Sequence, residues 1–515
     1  MSQLNEKTSV IRAEKEKAYL MGGEVEIARQ LKSGKLTVRQ RLDSFFDPGT
    51  FVEFGILAAG NAIEAKNKDM PADGVVTGFG KVCGKIVVVV AYDFTVLAGS
   101  IGEVNERKSD RARDFALRER VPIVWLLDSA GARIQEIASS RFAETGKLFH
   151  DQVRMSGVVP QIAAVMGPCA AGTAYIAGLA DFVPMVKGTS SMALAGPHLV
   201  KAAIGEEITA EDLGGSKIHC KLSGVGDFEA NDDEHCLAIV KEYLSFMPSH
   251  SGLKPERRDW DQDRVRLDDT ILDVVPDSSK RPYDIKKIIS ALADYEKFLE
   301  IKADFAPSLV TALTRMGGHV VGVVASQPMV QGGVIDGDAS DKAARFINLC
   351  DAYNIPLLYL QDVPGFMVGS AVEKQGIIRH GAKMLFATSR ASVPKLTVIV
   401  RKAYGAGYYV MCGRAFEPDL LVAWPSAEIS LMGAEGAVNI VHRKDIEADA
   451  DPKAKRAELV ALYESKISLE MAYKGAYVDD VIDPRDTRRI IIQTLEACSG
   501  KQLLWPQRKR FVEPV

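Results

Sequence analysis

Gly84-Lys-Ile-Val-Val-Val-Val-Ala91 returns 234 positions later (84 to 318) as Gly318-His-Val-Val-Gly-Val-Val-Ala325. On either side of this stretch the same shift places Val96 on Val330, Gly99 on Gly333, Ile101 on Ile335, Lys108 on Lys342 and Arg111 on Arg345. Val121-Pro-Ile-Val-Trp-Leu-Leu-Asp128-Ser-Ala-Gly131 then meets Ile355-Pro-Leu-Leu-Tyr-Leu-Gln-Asp362-Val-Pro-Gly365, Pro160 meets Pro394 and Tyr175 meets Tyr409. No gap is needed between Gly84 and Tyr175. Long-period self-similarity marks repeated architecture, and so large a period means two copies of a domain rather than a solenoid. Before this window the register drifts, since Phe51-Val-Glu-Phe54 resembles Phe298-Leu-Glu-Ile301 at a shift of 247. The polar, proline-containing stretch from Pro248 to Arg258 separates the copies, giving domains at 1–260 and 261–515.

Inside each copy, strand and helix alternate. Val87–Val90, Ile123–Leu127 and Ile162–Met166 are short, β-branched apolar runs, the pattern of strands buried on both faces. Asn105–Glu119 and Ser340–Ala352 read as helices, the second with capping oxygens expected from Ala339-Ser340-Asp341. Each half is therefore expected to be an α/β domain.

Composition narrows the function. The 515 residues are 47% apolar and 26% charged with a net charge of −4, a globular balance without the basic footprint of a nucleic-acid binder. No run approaches the roughly 18 apolar residues of a membrane span. The N-terminus is charged and lacks an apolar signal core, so a cytoplasmic address is expected. The seven cysteines are scattered and read as small buried residues. His219, Cys220, His235 and Cys236 do not fit a zinc spacing, so no metal is expected.

In α/β folds, function gathers where strands end and helices begin. Both copies place small residues there: Gly167-Pro-Cys-Ala-Ala171-Gly172-Thr-Ala-Tyr175 and Arg401-Lys-Ala-Tyr-Gly405-Ala406-Gly407-Tyr-Tyr409. A strand opening into a helix through Gly and Ala leaves backbone N–H groups bare at the positive end of the helix dipole, which suits an oxyanion. The bland alternative is that small residues only let the helix pack close to the sheet. A second pair of turns, Asp128-Ser-Ala-Gly131 and Asp362-Val-Pro-Gly365, also comes after strands. Gly131 and Gly365 are candidates to line the same clefts, while Asp128 and Asp362 read as helix N-caps.

Other signals fail. Asp336-Gly-Asp338-Ala-Ser340-Asp341 begins like a calcium loop but has Ile347 at the twelfth position. Gly78-Phe-Gly80 is too short for a dinucleotide fingerprint, and neither a P-loop nor a G-x-S-x-G elbow occurs. His380 and His442 read as surface or packing residues. The chain offers oxyanion holes without an obvious nucleophile, base or metal.

At these residues the chain resembles the carboxyltransferase (β) subunits of biotin-dependent acyl-CoA carboxylases, the group that includes propionyl-CoA and methylcrotonyl-CoA carboxylases. The resemblance runs from about Lys35 to about Arg489 and includes Asp47-Pro-Gly-Thr-Phe-Val-Glu53, Ser129-Ala-Gly-Ala-Arg-Ile-Gln-Glu136, Asp362-Val-Pro-Gly-Phe366, Gly376-Ile-Ile-Arg379 and Arg401-Lys-Ala-Tyr404. It implies two tandem crotonase-like (ClpP/crotonase) domains, the first on the acyl-CoA side and the second on the biotin side. It also implies chemistry without side-chain catalysts, in which the biotin ureido oxyanion takes the substrate's α-proton and the thioester enolate attacks CO2. By the resemblance, the N–H groups of Ala171 and Gly172 hold the thioester oxygen and those of Ala406 and Gly407 face the ureido oxygen. The repeat alone pairs Ala171–Gly172 with Gly405–Ala406 instead.

Tyr409, where propionyl-type members carry Asp or Cys, is expected to floor the acyl pocket. Its run resembles methylcrotonyl- or geranyl-type members, whereas Asp362–Phe366 and Arg401-Lys402 look propionyl-like, so the acyl group stays open. No Ala/Val-Met-Lys-Met biotinylation sequence occurs, so the resemblance implies a separate biotin carboxylase and biotin carrier. It further implies a homo-hexamer, a trimer of dimers, with the first half of one subunit facing the second half of a neighbour. Three other readings compete: the same chemistry run backwards as a decarboxylase subunit, a crotonase-type hydratase, isomerase or hydrolase, and a non-enzymatic scaffold. A hydratase wants an acid or base side chain beside Ala171–Gly172, and that turn supplies none.

Overall fold

The computed structural model describes residues 2–59, 70–137, 140–467, 469–501, 503, 506 and 509–515. The chain forms two compact units, Met1–Leu253 and Lys254–Val515.

In the first unit, helix Val38–Phe45 (α1) precedes strands Val52–Phe54 (β1), Val75–Val82 (β2) and Lys85–Tyr92 (β3). Next come helix Glu103–Glu119 (α2), strand Ile123–Ser129 (β4), helix Lys147–Met155 (α3), strand Gln161–Ala170 (β5) and helix Gly172–Leu179 (α4). Strands Pro184–Val186 (β6), Ser191–Ala193 (β7) and Phe228–Ala230 (β8) complete the sheet. Its order is β1-β2-β3-β4-β5-β6-β8, with β7 pairing β5. The first two pairings are antiparallel and the rest parallel. The parallel strands are sealed by residues such as Val88, Val90, Trp125, Leu127 and Val165, all with no exposed surface.

The second unit repeats this plan. Strands Phe298–Ile301 (β9), Leu309–Met316 (β10) and His319–Ser326 (β11) lead to helix Gly337–Ala352 (α5), strand Leu357–Val363 (β12) and helix Ile377–Arg390 (α6). Strand Lys395–Tyr404 (β13), helix Gly405–Val410 (α7) and strands Leu420–Ala423 (β14), Glu428–Ser430 (β15) and Asp480–Val481 (β16) come after it. The order β9-β10-β11-β12-β13-β14-β16, with β15 on β13, is the first sheet's order strand for strand.

The backbone repeats as closely as the sequence. The β2–β3 hairpin turns through Cys83 and Gly84 (φ 48° and 81°), and β10–β11 through Gly317 and Gly318 (φ 60° and 78°). Two central residues at positive φ make the turn whose twist matches paired strands. Leu97 and Gln331, Ala98 and Gly332, and Arg120 and Asn354 share positive φ at the same shift. Lys108 and Lys342 also do equivalent jobs. Lys108 Nζ donates to the carbonyls of Ala72 (2.7 Å) and Val75, and Lys342 Nζ to those of Lys302, Phe305, Ala306 and Leu309 (2.8, 2.8, 3.4 and 2.7 Å). Each ammonium ties its helix to the loop before the central hairpin.

Three local expectations need correction. Helix α5 begins at Gly337, and its cap is Asp336, whose side chain accepts from the Ala339 N–H at 2.8 Å. The residues expected as caps, Ala339-Ser340-Asp341, lie inside the helix. Helix α2 begins two residues before Asn105, where the Glu136 carboxylate, from the short helix Ile134–Ile137, accepts from the Glu103 N–H at 2.8 Å. Strand β5 runs past Gly167-Pro168 to Ala170, because beyond Val165 it pairs with β7 instead of β6. Proline is tolerated where the ladder changes partner. Of the cysteines, Cys83 is exposed and Cys498 half-buried, while the other five are buried.

Candidate active site

The site starts at a flaw in the sheet. The β4–β5 register shifts between Leu127 and Ser129, and β12–β13 shifts between Gln361 and Val363, the same place 234 residues on. Asp128 and Asp362 sit in these irregularities with no exposed surface. They are strand residues in buried ion networks, not helix caps. Asp128 accepts from Lys35 Nζ (2.9 and 3.0 Å) and Arg41 Nη1 (2.9 Å). Arg41 reaches on to Asp233 (2.7 Å) and the Met166 carbonyl (3.1 Å), next to Gly167. Burial works against the Arg41 charge, but Asp128 and Asp233 outweigh it and raise its pKa. Asp362 accepts from Arg401 Nε (2.9 Å) and the Lys402 N–H (3.2 Å); burial still raises its pKa, with Arg401 opposing. A bulge re-aims the chain beyond it. In these two strands the re-aimed segment carries Gly131 or Gly365.

Those glycines meet the Gly/Ala turns. A Cβ on Gly131 would lie 2.8 Å from the Ala170 carbonyl oxygen, and one on Gly407 would lie 3.0 Å from Gly365 Cα. Gly131 and Gly365 have φ of 89° and 127°. In each unit, therefore, the turn after the bulged strand packs on the turn that opens the short helix.

The backbone sets the register of those turns. Ala171, with φ 54° and ψ −120°, breaks β5 before α4, and Gly405, with φ 57°, stands at the equivalent point after β13. Ala171 is in a region that costs a non-glycine residue about 1–3 kcal/mol. Its N–H is committed to the Ala193 carbonyl at 3.1 Å, and its own carbonyl accepts from the Ala174 N–H at 3.1 Å. Gly172 opens α4, and Ala406 and Gly407 lie in the first turn of α7, so their N–H groups have no i−4 carbonyl within their own helix to bond. At the 234 shift Ala171–Gly172 corresponds to Gly405–Ala406, so the two expected pairs are one residue out of step; Gly172 and Ala406 are the common members. Sequence reading passed over two more bare donors, the N–H groups of Ala132 and Phe366, each directly after Gly131 or Gly365. Ile101–Ala132 and Ile335–Phe366 are matching bridges in which the residues on either side bond the isoleucine, so the N–H of Ala132 or Phe366 faces away from it.

A cleft of about 970 Å³ opens onto the first turn. Ala132, Ala171, Gly172 and Tyr175 line it, with Phe149 and Leu194 as apolar wall. Tyr175 is 53% exposed and packs edge-on against Phe149 at 5.7 Å. Its counterpart Tyr409 is 46% exposed and lies over Phe416 at 6.2 Å. The cleft also holds carboxylates that the turn's own sequence does not contain: Glu103, Glu106, Asp110, Glu136 and Glu144. They arrive from α2 and from the loop after Gly131, which is why the local sequence hid them. Four of them are in ion pairs: Glu103 with Arg107, Glu106 with Arg113 at 2.6 Å, Asp110 with Lys147 at 2.5 Å and Glu136 with Arg133 at 2.7 Å. Burial raises the Glu106 pKa against the pull of Arg113.

His219, Cys220, His235 and Cys236 do not converge. His219 bonds Ser223 Oγ (2.8 Å) and the Met192 carbonyl (2.7 Å), and His235 packs edge-on against Phe228. Among the described residues no helix is long and apolar enough to cross a membrane.

Comparison with known proteins agrees with this geometry. Residues 29–512 match the family model described as a carboxyl transferase domain. The chain is 43% identical over 510 residues to the carboxyltransferase subunit of propionyl-CoA carboxylase from Haloferax mediterranei, covering 98% of each chain. It is 41% identical over 504 residues to the methylmalonyl-CoA decarboxylase subunit alpha of Veillonella parvula, covering 98% of this chain and 97% of that one. Transcarboxylase 12S, solved as a hexamer with methylmalonyl-CoA and methylmalonic acid bound, superposes with a TM-score of 0.95 at 42% identity, over 100% of this chain and 99% of that one. The chain belongs to the carboxyl transferase family, as an acyl-CoA carboxylase carboxyltransferase built from two tandem crotonase-like domains.

Proposed function

We propose that this enzyme transfers a carboxyl group between a biotin carrier and the α-carbon of a short acyl-CoA such as propionyl-CoA. The observation that carries this reading is the position of Gly172, whose N–H opens helix α4 in the lining of the first-unit cleft. Aimed at a thioester oxygen, with the Ala132 N–H beside it, this donor stabilises negative charge as the α-proton leaves. One pre-organised donor of this kind contributes about 2.7–4 kcal/mol to the transition state. Ala406 and Gly407, with Phe366, supply the matching donors for the ureido oxygen, making the second unit the biotin side. In the forward direction the bond from the ureido nitrogen to CO2 breaks, a C–C bond forms at the α-carbon, and the α-proton ends on the ureido nitrogen. The cleft wall keeps water from the reacting atoms. Gly131 and Gly365 shape the turns, and Tyr409 limits the acyl group. A hexamer like that of transcarboxylase 12S, with a separate biotin carboxylase and biotin carrier, completes the assembly.

The relative from Veillonella parvula is named a decarboxylase subunit, so the reverse direction rests on the same site. The test is incubation with biotin carboxylase, biotin carrier, ATP, labelled bicarbonate and a panel of acyl-CoAs. Label in a carboxylated acyl-CoA is expected. Release of CO2 from the carboxylated thioester with no forward incorporation selects the decarboxylase direction. Hydration or thioester hydrolysis without any transfer overturns the proposal.

A further inference from the structure

The first cleft has a wall, and the repeat says what stands in its place in the second unit. The 234 shift carries Arg107 to Asp341, Gly146 to His380 and Phe149 to Lys383, and all three first-unit residues line the cleft. The same shift carries the acids Glu103, Glu106 and Asp110 to Gly337, Ser340 and Ala344. The second unit thus exchanges three acids and the cations Arg107 and Lys147 (Gly381 at this shift) for one compact trio, Asp341, His380 and Lys383.

These residues are not the isolated surface groups the sequence suggested for His380. Asp341 Oδ2 bonds His380 Nδ1 at 2.9 Å and Lys383 Nζ at 3.1 Å. The side chains of Asp341, His380 and Lys383 are 37%, 30% and 27% exposed, so the cluster is accessible but held. A chain of close approaches ties it to the turn. A Cβ on Gly337 would lie 3.5 Å from the His380 ring, and one on Gly381 would lie 3.0 Å from the Phe366 ring. Phe366 is next to Gly365, and Gly365 packs on Gly407. Helix α6, which carries His380 and Lys383, thus rests on the same loop that supports Ala406–Gly407.

We propose that Asp341, His380 and Lys383 form a polar site in the second unit, beside the Gly365–Phe366 loop, that binds an N-carboxylated cyclic urea, the business end of the biotin donor. The proposal rests on the assignment of the second unit to biotin. Lys383 supplies a cation for the donor's carboxylate. In the tautomer that donates Nδ1–H to Asp341, His380 offers Nε2 as an acceptor, which fits the remaining ureido N–H. These residues bind and orient; they make and break no covalent bond.

The experiment measures steady-state transfer by the full-length protein, varying the acyl-CoA and the biotinylated carrier separately. In Lys383→Met, KM for the carrier is expected to rise about tenfold or more, the loss typical of a charge-assisted hydrogen bond, and in His380→Ala by a smaller factor of roughly two to ten, the loss of a neutral one, with KM for acyl-CoA unchanged. Lys383→Arg, which keeps the charge, should recover most of the loss. An equal rise in both KM values, or no change in either, overturns the site while leaving the carboxyltransferase reading intact. If the wild-type protein shows no biotin-dependent transfer, the underlying reading falls and the site with it.

Discussion

The two units share a backbone and differ in what surrounds it. Both place a buried aspartate in a bulge, a positive-φ glycine after it, and a positive-φ residue where strand meets helix. Yet Asp128 is neutralised by Lys35 and Arg41, from residues preceding the sheet, whereas Asp362 relies on Arg401 and a backbone N–H from strand β13. The left-handed step is taken by alanine in one unit and glycine in the other. Duplication thus preserved the backbone of the turns while charges and side chains drifted.

Substitutions that treat the units unequally probe this contrast. Asp128→Asn leaves Lys35 and Arg41 buried beside a neutral amide and should cost about 3–5 kcal/mol, the usual loss when one partner of a buried ion pair is removed. Asp362→Asn strands a single guanidinium and should cost less; chemical denaturation of both variants measures the difference. Lys342→Ala leaves four carbonyls without their donor, against two for Lys108→Ala, so a loss of roughly 3 kcal/mol is expected for the first and a smaller one for the second.

A subtler effect is the pH dependence of Asp362. Its pKa in the folded protein lies above the unfolded value, so the stability it contributes is fully present below the unfolded pKa and is lost as pH rises through the folded one. The stability of wild type relative to Asp362→Asn should therefore fall as pH rises from the acid range toward neutrality. A relative stability that climbs over that range contradicts the sign. The smallest effect is expected for Ala171→Gly, which imports the second unit's solution and relieves a strained φ. A gain of up to about 1 kcal/mol should appear in melting experiments.

Much of this architecture is legible in the sequence because strands buried on both faces leave unbroken apolar runs, and because the repeat keeps one register from Gly84 to Tyr175. The Gly/Ala turns are legible for the same reason. What escaped is held by tertiary partners. Asp128 and Asp362 look like caps in a linear reading, since a bulge leaves no periodic trace. Glu136 caps a helix that begins far upstream of it, and the carboxylates of the first cleft come from helix α2. His380 looked solitary because Asp341 lies on another helix. The commitment of the Ala171 N–H to Ala193 depends on strand β7, whose three residues carry no distinctive pattern.

If one bare turn in each unit holds an oxyanion, a bulky residue at either turn must stop the reaction. Carboxyl transfer by Gly172→Val and Ala406→Val, measured alongside circular dichroism, is the decisive comparison. Gly172 has room for a side chain, since a Cβ there meets only Phe149 at 3.5 Å, so a loss of activity at that position is not a loss of fold. Turnover should fall by about a hundredfold or more in each variant with secondary structure unchanged. Wild-type turnover in either folded variant would contradict the oxyanion-hole assignment.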